Sequence, residues 1–219
     1  MAVKSRSREK PVRRGALRTR VRLLDAGRKA FAAKGLGGAS LREDILVRAG
    51  VSSGSFYHQF ADKEDLLVEV LRCDGAAILD MLHKRRGPGG ADPGGPARDR
   101  DRLLHALFEM ADRHPEFVKI YVREYHSDSA RVRRQIRRHR DQTIAHVRVY
   151  YEGLAELTGL PLDAERIATL LSVQSFALIN YYLEFAPKRR REARERLIAS
   201  MVQLGTGGIL AMRRPEPNA

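Results

Sequence analysis

Residues 40–67 read SLREDILVRAGVSSGSFYHQFADKEDLL. Ser40 is an N-cap, and Glu43 stands at the third helical position, the pattern of a capping box. Leu41 and Ile45 then share one helical face. Gly50 follows, suited to the left-handed position just past a helix end. Val51 is an apolar plug, and Ser52 caps a second short helix, SGSFYHQF. Two short helices joined by a tight turn containing glycine make a helix-turn-helix. On the second helix Ser53, Gly54 and Ser55 are small enough for close approach to a partner. Phe56 and Phe60, four apart, face inward, while Tyr57 and His58 face out. A recognition helix has this construction.

Outward from this stretch the chain reads as helix throughout. Apolar residues recur at spacings of three and four, as in Leu17, Val21, Leu24 and Phe31, or Leu103, Leu107 and Met110. Alternation of period two is scarce, and no Asn-Gly or Asp-Gly hairpin turn occurs. The expected fold class is all-α. A three-helix helix-turn-helix domain comes first, and a larger helical domain follows. Gly and Pro concentrate in RRGPGGADPGGPARDRD, residues 85–101, so a flexible loop is expected at 86–97.

The 219 residues carry a formal charge of +14 and a pI near 10.5, which points to a polyanionic partner, nucleic acid first. More than half of that charge sits in residues 1–22, where nine Lys and Arg face Glu9 alone. Residues 1–17 are read as a basic flexible arm that touches phosphate or the minor groove. A hydrophobic share of 43% supports a packed core. Cys73 is the one cysteine, so neither an intrachain disulfide nor a Cys-pair zinc site is expected. No apolar stretch follows the basic N-terminus, and residues 170–185 carry Gln174, Ser175, Asn180 and Glu184. The expected location is therefore cytoplasmic, with no membrane contact.

AGVSSGSFYHQFADKEDLL resembles the most recurrent stretch of the TetR family of bacterial transcriptional regulators. RTRVRLLDAGRKAFAAKG, residues 18–35, matches that family's first helix, including Phe31 and Gly35. The resemblance covers about residues 18–72 and implies a DNA-binding domain over 18–78, with its helix-turn-helix at 40–60. Two departures stand out. One residue more lies between Gly35 and Ile45 than the family usually carries, and Leu46 stands where the family prefers Ala.

By this resemblance the DNA-facing residues are Arg42, Ser52, Ser53, Gly54, Ser55, Tyr57, His58 and Lys63, with Lys63 as a phosphate contact. Residues 79–219 are implied to form a ligand-binding and dimerisation domain. Residues 163–185 are apolar around most of their circumference until Pro187, and another helix follows. The expected homodimer interface draws on Phe176, Ile179, Leu183, Leu197, Met201 and Leu204. The expected effector lining is Leu104, Phe108, Phe117, Tyr121, Tyr150, Phe176 and Tyr181, which suits an apolar or amphipathic small molecule.

REYHSDSARVRRQIRRHRD, with Arg123, Glu124 and Tyr125, resembles more loosely the family's fatty-acid-metabolism regulators. That implies an acyl-CoA or fatty-acid effector; a solvated basic helix face is the other reading. No nucleophile elbow, phosphate loop or dinucleotide fingerprint occurs, and His139 and His146 have no carboxylate at metal-ligand spacing. The expected protein is a repressor on two-fold-symmetric operator DNA, released by its effector, with no metal, no cofactor and no catalysis. A charge-driven helical nucleic-acid-binding protein without an effector is the alternative.

Overall fold

A computed structural model describes the backbone of residues 9–85 and 96–211 and the side chains of 15–84 and 102–203. In chain order the helices are α1 (Glu9–Gly38), a π-helical turn (Leu41–Leu46) running into α2 (Val47–Ala49), α3 (Ser53–Tyr57), α4 (Lys63–Arg85), α5 (Pro96–Arg113), α6 (Pro115–Glu124), α7 (Ala130–Thr158), α8 (Ala164–Leu183) and α9 (Arg190–Ala211). A 3₁₀ turn (Pro187–Arg189) precedes α9. The described residues contain no strand, which bears out the all-α reading. Most of the expected loop at 86–97 lies outside the described residues; Pro96 and Ala97 open α5. The expected arm also ends early, because α1 already begins at Glu9. Pro11 falls in its first turn, where a missing N–H breaks no bond.

The chain divides into two contact units. The first holds the residues up to Cys73 together with Lys119–Ile136, a segment the sequence reading assigned to the second domain. Its core is Leu23, Ala26, Ala30 and Phe31 of α1, with Ile45, Leu46, Ala49, Phe56, Phe60, Leu66, Leu67 and Val70. The apolar period of α1 faces this core only at its C-terminal end: Phe31 is buried and Leu24 half-buried, whereas Leu17 and Val21 are exposed. A Cβ at Gly27 would lie 2.9 Å from Leu66 Cδ2, so α4 packs tightly on this side of α1. At Gly35 the chain turns with φ 72°, and the same spot receives the Arg123 and Glu124 side chains.

The second unit comprises Asp74–Val118 and Arg137 onward. Here α5 packs against α8 and α9. The buried Tyr182 ring meets Phe108 edge to face at 5.0 Å and donates its hydroxyl to Asp112 Oδ2 at 2.8 Å. Burial, then that hydrogen bond, pushes the phenol pKa up to about 12. His139 is buried against the Phe117 ring, and a Cβ at Gly75 would lie 2.5 Å from its Cδ2. The α7–α8 end closes over Val147, Tyr151, Leu162, Ala164, Ile167 and Ala168. Helix α8 buries Ile167, Ala168, Ile179 and Tyr182 on one side and exposes Leu170, Val173 and Tyr181 on another. That doubled apolar surface is what the sequence showed as a helix apolar nearly all round.

Candidate nucleic-acid interface

The recognition helix is only five residues long, so its position depends on what holds its ends. Ser52 caps it, its Oγ accepting the Ser55 N–H at 3.2 Å and donating to Ser55 Oγ at 3.0 Å. Phe56 is fully buried and stacks its edge against Tyr57, with centroids 5.2 Å apart. It also meets Phe60 at 5.8 Å. This anchor turns Ser53, Gly54, Ser55, Tyr57 and His58 to solvent, and Tyr57 is 60% exposed. Bulky aromatic surface held in water by a rigid helix suits contact with a partner.

The turn before α3 is locked as well. Gly50 adopts φ 57° and ψ 47°, its N–H bonding Val47 O while the Val51 N–H reaches Leu46 O, both at 3.1 Å. Together these two bonds are the glycine-ended helix cap the sequence suggested. Arg22 Nη2 donates to Gly50 O at 2.8 Å, tying α1 to the turn. Arg20 lies over the Phe60 ring, 4.7 Å from its centroid, and donates to Glu69 at 2.6 Å. The Arg72 guanidinium, helped by Arg20, holds the Glu69 carboxyl down at about 2. Two arginines from the basic N-terminal stretch thus work as internal clamps.

Lys63 differs from expectation. Its Nζ donates to Ala39 O at 2.7 Å, and the side chain is half-buried. The ammonium is thus committed to the loop before the helix-turn-helix, because the α4 N-terminus lies under that loop. Arg42 is exposed at the π-helical turn, which the first residue of α2 closes by bonding five back, Val47 N–H to Arg42 O.

Sequence reasoning missed the contacts that dock residues 119–136 onto α1 and α4. Glu124 Oε1 accepts the Leu36 N–H at 2.7 Å, and Arg123 Nη1 donates to Ala33 O at 2.7 Å. Arg131 faces Asp65 at 2.9 Å and Asp62 and Glu64 at 3.4 Å. The Arg-Glu pair was visible in the sequence, but nothing in it named Gly35 as its partner.

The remaining expected residues are dispersed. Leu104, Phe108 and Phe117 are buried in the second unit, whereas Tyr121 is buried in the first, its hydroxyl donating to Ile136 O at 3.4 Å. Tyr150 packs on the α7–α8 cluster, Phe176 is half-buried, and Tyr181 is 51% exposed beside Phe185. Of the expected interface, Ile179 and Met201 are buried in the protomer's own core, and Leu183 and Leu197 are half-buried. Leu204 lies outside the described residues.

Residues 23–70 match the model of the bacterial regulatory proteins of the tetR family. The HTH-type transcriptional repressor KstR2 of Mycobacterium tuberculosis H37Rv is 28% identical over 194 residues, spanning 85% of this chain and 90% of that protein. The KstR2 of Rhodococcus jostii RHA1 is 45% identical over 105 residues, 48% of this chain and 49% of that one. The solved structure of the fatty acid degradation regulator FadR from Bacillus halodurans superposes with a TM-score of 0.67 at 14% identity, over 81% of this chain and 97% of that one. Among the described residues no helix is long and apolar enough to cross a membrane. The locked helix-turn-helix, its exposed polar and aromatic face and these likenesses converge: residues 23–70 form a DNA-binding domain of the TetR type, and the chain is a DNA-binding transcriptional regulator.

Proposed function

We propose that this regulator is a cytoplasmic homodimeric repressor that reads a two-fold-symmetric operator and leaves it when a small apolar or amphipathic effector binds the second unit. Its work is binding rather than catalysis. The observation that carries the reading is the exposed face of α3, Ser53 to His58, held by the Phe56 anchor and the Gly50 clamp. A protein attracted to DNA by charge alone needs neither. The repressors it resembles support the sign of regulation.

Ser53 and Ser55 reach base edges, Tyr57 and His58 meet backbone or a thymine methyl, and Ser52 places the helix end at a phosphate. Arg42 joins them from the preceding helix. Lys63 keeps a role through position: its clamp on Ala39 sets the entry of the helix-turn-helix. The dimer is assigned to the outward face of α8, Leu170, Val173, Ala177 and Tyr181, with Phe176, Leu183 and Leu197 at its margin. Ile179 and Met201 support that face from inside.

The effector lining reduces to Leu104, Phe108, Phe117 and Phe176 of the second unit, a set that selects apolar molecules. The fatty acid degradation regulator among the structural relatives makes acyl-CoAs and free fatty acids the first compounds to try. Residues 119–136 belong to the DNA-reading unit, yet α6 and α7 continue in sequence into the second, so a shift in either helix reaches α1 and α4 through Glu124 and Arg131. An effector acts only through different affinities for the bound and released states.

Genomic DNA fragments retained by the protein are sequenced, and the recovered site is titrated at fixed salt with acyl-CoAs, fatty acids and a panel of apolar drugs. A recurrent palindromic site and its release by one of these classes are expected. Retention of all fragments alike overturns the reading in favour of charge-driven binding.

A further inference from the structure

The first helix of the helix-turn-helix contains a device with a direct consequence for DNA. In an α-helix each residue turns the chain by about 100°, so one surplus residue rotates everything ahead of it against everything behind. Measured against the TetR pattern that the sequence resembles, this chain carries one such residue between Gly35 and Ile45. The structure absorbs it in one place, as the π-helical turn Leu41–Leu46 closed by the Val47 N–H on Arg42 O. The residues behind it keep their places, with Ile45, Leu46 and Ala49 buried in the core.

The residues ahead of it are pinned too. The buried Asp44 carboxylate accepts the Ser40 N–H at 2.8 Å and Lys34 Nζ at 2.7 Å. Those bonds, Lys34 first, lower its pKa below the usual carboxylate range. Ser40 Oγ accepts the Glu43 N–H at 3.2 Å, and Lys63 holds Ala39 O. Only Arg42 and Glu43 are left on the outer side of the bulge. Both are exposed, and among the described residues neither side chain has a partner.

An exposed carboxylate beside an arginine is unfavourable on a surface that meets phosphate. It becomes favourable where the partner offers a donor, and cytosine N4 is the base-edge donor that carboxylates read in the major groove. Building on the regulator reading above, we propose that the widened turn is a specificity-determining element, in which Arg42 contacts DNA and Glu43 rejects sites that offer it no cytosine amine. The π-helical turn leaves the two charges side by side on its outer face, and the Asp44 staple keeps them there.

The test is selection from a randomised operator library, with affinities for the selected site and for random DNA measured across salt concentrations. Wild type, Glu43→Gln, Arg42→Ala, a deletion of Glu43, and that deletion combined with Arg42→Ala are compared. Glu43→Gln leaves the cap intact, because the cap uses the backbone N–H of residue 43. It is expected to erase a C·G preference in each half-site, raise affinity for random DNA and steepen the salt dependence by about one unit of slope. Arg42→Ala is expected to weaken the selected site by on the order of fivefold to a hundredfold, and to add nothing once Glu43 is deleted.

An unchanged base profile in Glu43→Gln overturns the proposal. So does an Arg42→Ala loss of equal size with and without Glu43. If the deletion variant fails to fold by circular dichroism, the Glu43→Gln profile decides alone. Tyr57→Ala separates the two levels of the argument: if it abolishes site preference while Glu43→Gln changes nothing, the regulator reading stands and only the role of the turn falls.

Discussion

In the DNA-reading unit, charged side chains cross between elements to hold backbone groups or carboxylates. Arg22 reaches Gly50 O, Lys63 reaches Ala39 O, Glu124 accepts from Leu36 N, and Arg131 faces three acids at the start of α4. The second unit is held chiefly by rings and aliphatic side chains, with the Asp112 cluster on Tyr182, Arg190 and Arg194 as its main polar joint. Directional bonds fix the position of short segments, and a five-residue recognition helix needs that. Non-directional packing fixes volume and tolerates rearrangement, which suits a unit that must admit a ligand.

Truncating an anchor breaks the first unit most severely. Phe56→Ala removes the fully buried ring behind α3 and is expected to cost about 3–5 kcal/mol, with loss of DNA binding. Denaturant unfolding followed by circular dichroism measures it.

Acid separates the units. Burial holds His139 at about 4, below the 6.5 of a free imidazole. The unfolded chain therefore takes up that proton first as pH falls. The stabilisation is complete above pH 6.5 and is lost between 6.5 and 4, about 3 kcal/mol in all. Glu69 in the first unit has a depressed pKa, so its contribution is complete above pH 4.5 and is lost only toward 2. Stability measured from pH 7.5 to 4.5 is expected to fall in wild type and to flatten in His139→Leu; equal slopes in both contradict the assignment.

Tyr57→Ala is expected to weaken operator binding by about 1–3 kcal/mol and to change folding stability by no more than about 0.5 kcal/mol, because the ring is mostly in water. Parallel binding and melting experiments check both halves. The smallest effect falls on a clamp. Lys63→Met is expected to cost about 1–2 kcal/mol of stability through the orphaned Ala39 carbonyl, with the salt slope of DNA binding nearly unchanged. A slope lower by about one marks Lys63 as a phosphate contact instead.

The division between the units also explains what was legible beforehand. Ser40, Gly50, Ser52, Phe56 and Phe60 signal caps, a turn and an inward face through local rules, so the helix-turn-helix could be read along the chain. The π-helical turn left a trace only as one residue too many. The roles of Arg20, Lys63 and Glu124 were hidden because their partners lie 24 to 88 residues away and are mostly backbone or side-chain oxygens common to every segment. In α8 periodicity recorded that two sides were apolar without telling which one faces inward. Ile179 and Tyr181, two residues apart, ended on opposite sides of that question.

The central claim is that a rigidly held α3 reads sequence. Its most direct test is the ratio of affinities for the selected genomic site and for random DNA, measured at one salt concentration with the full chain. A ratio of about a thousand or more is predicted for wild type, together with a drop of on the order of fivefold to a hundredfold for Tyr57→Ala at unchanged helicity. A ratio near one in wild type, with both affinities falling equally as salt rises, contradicts it.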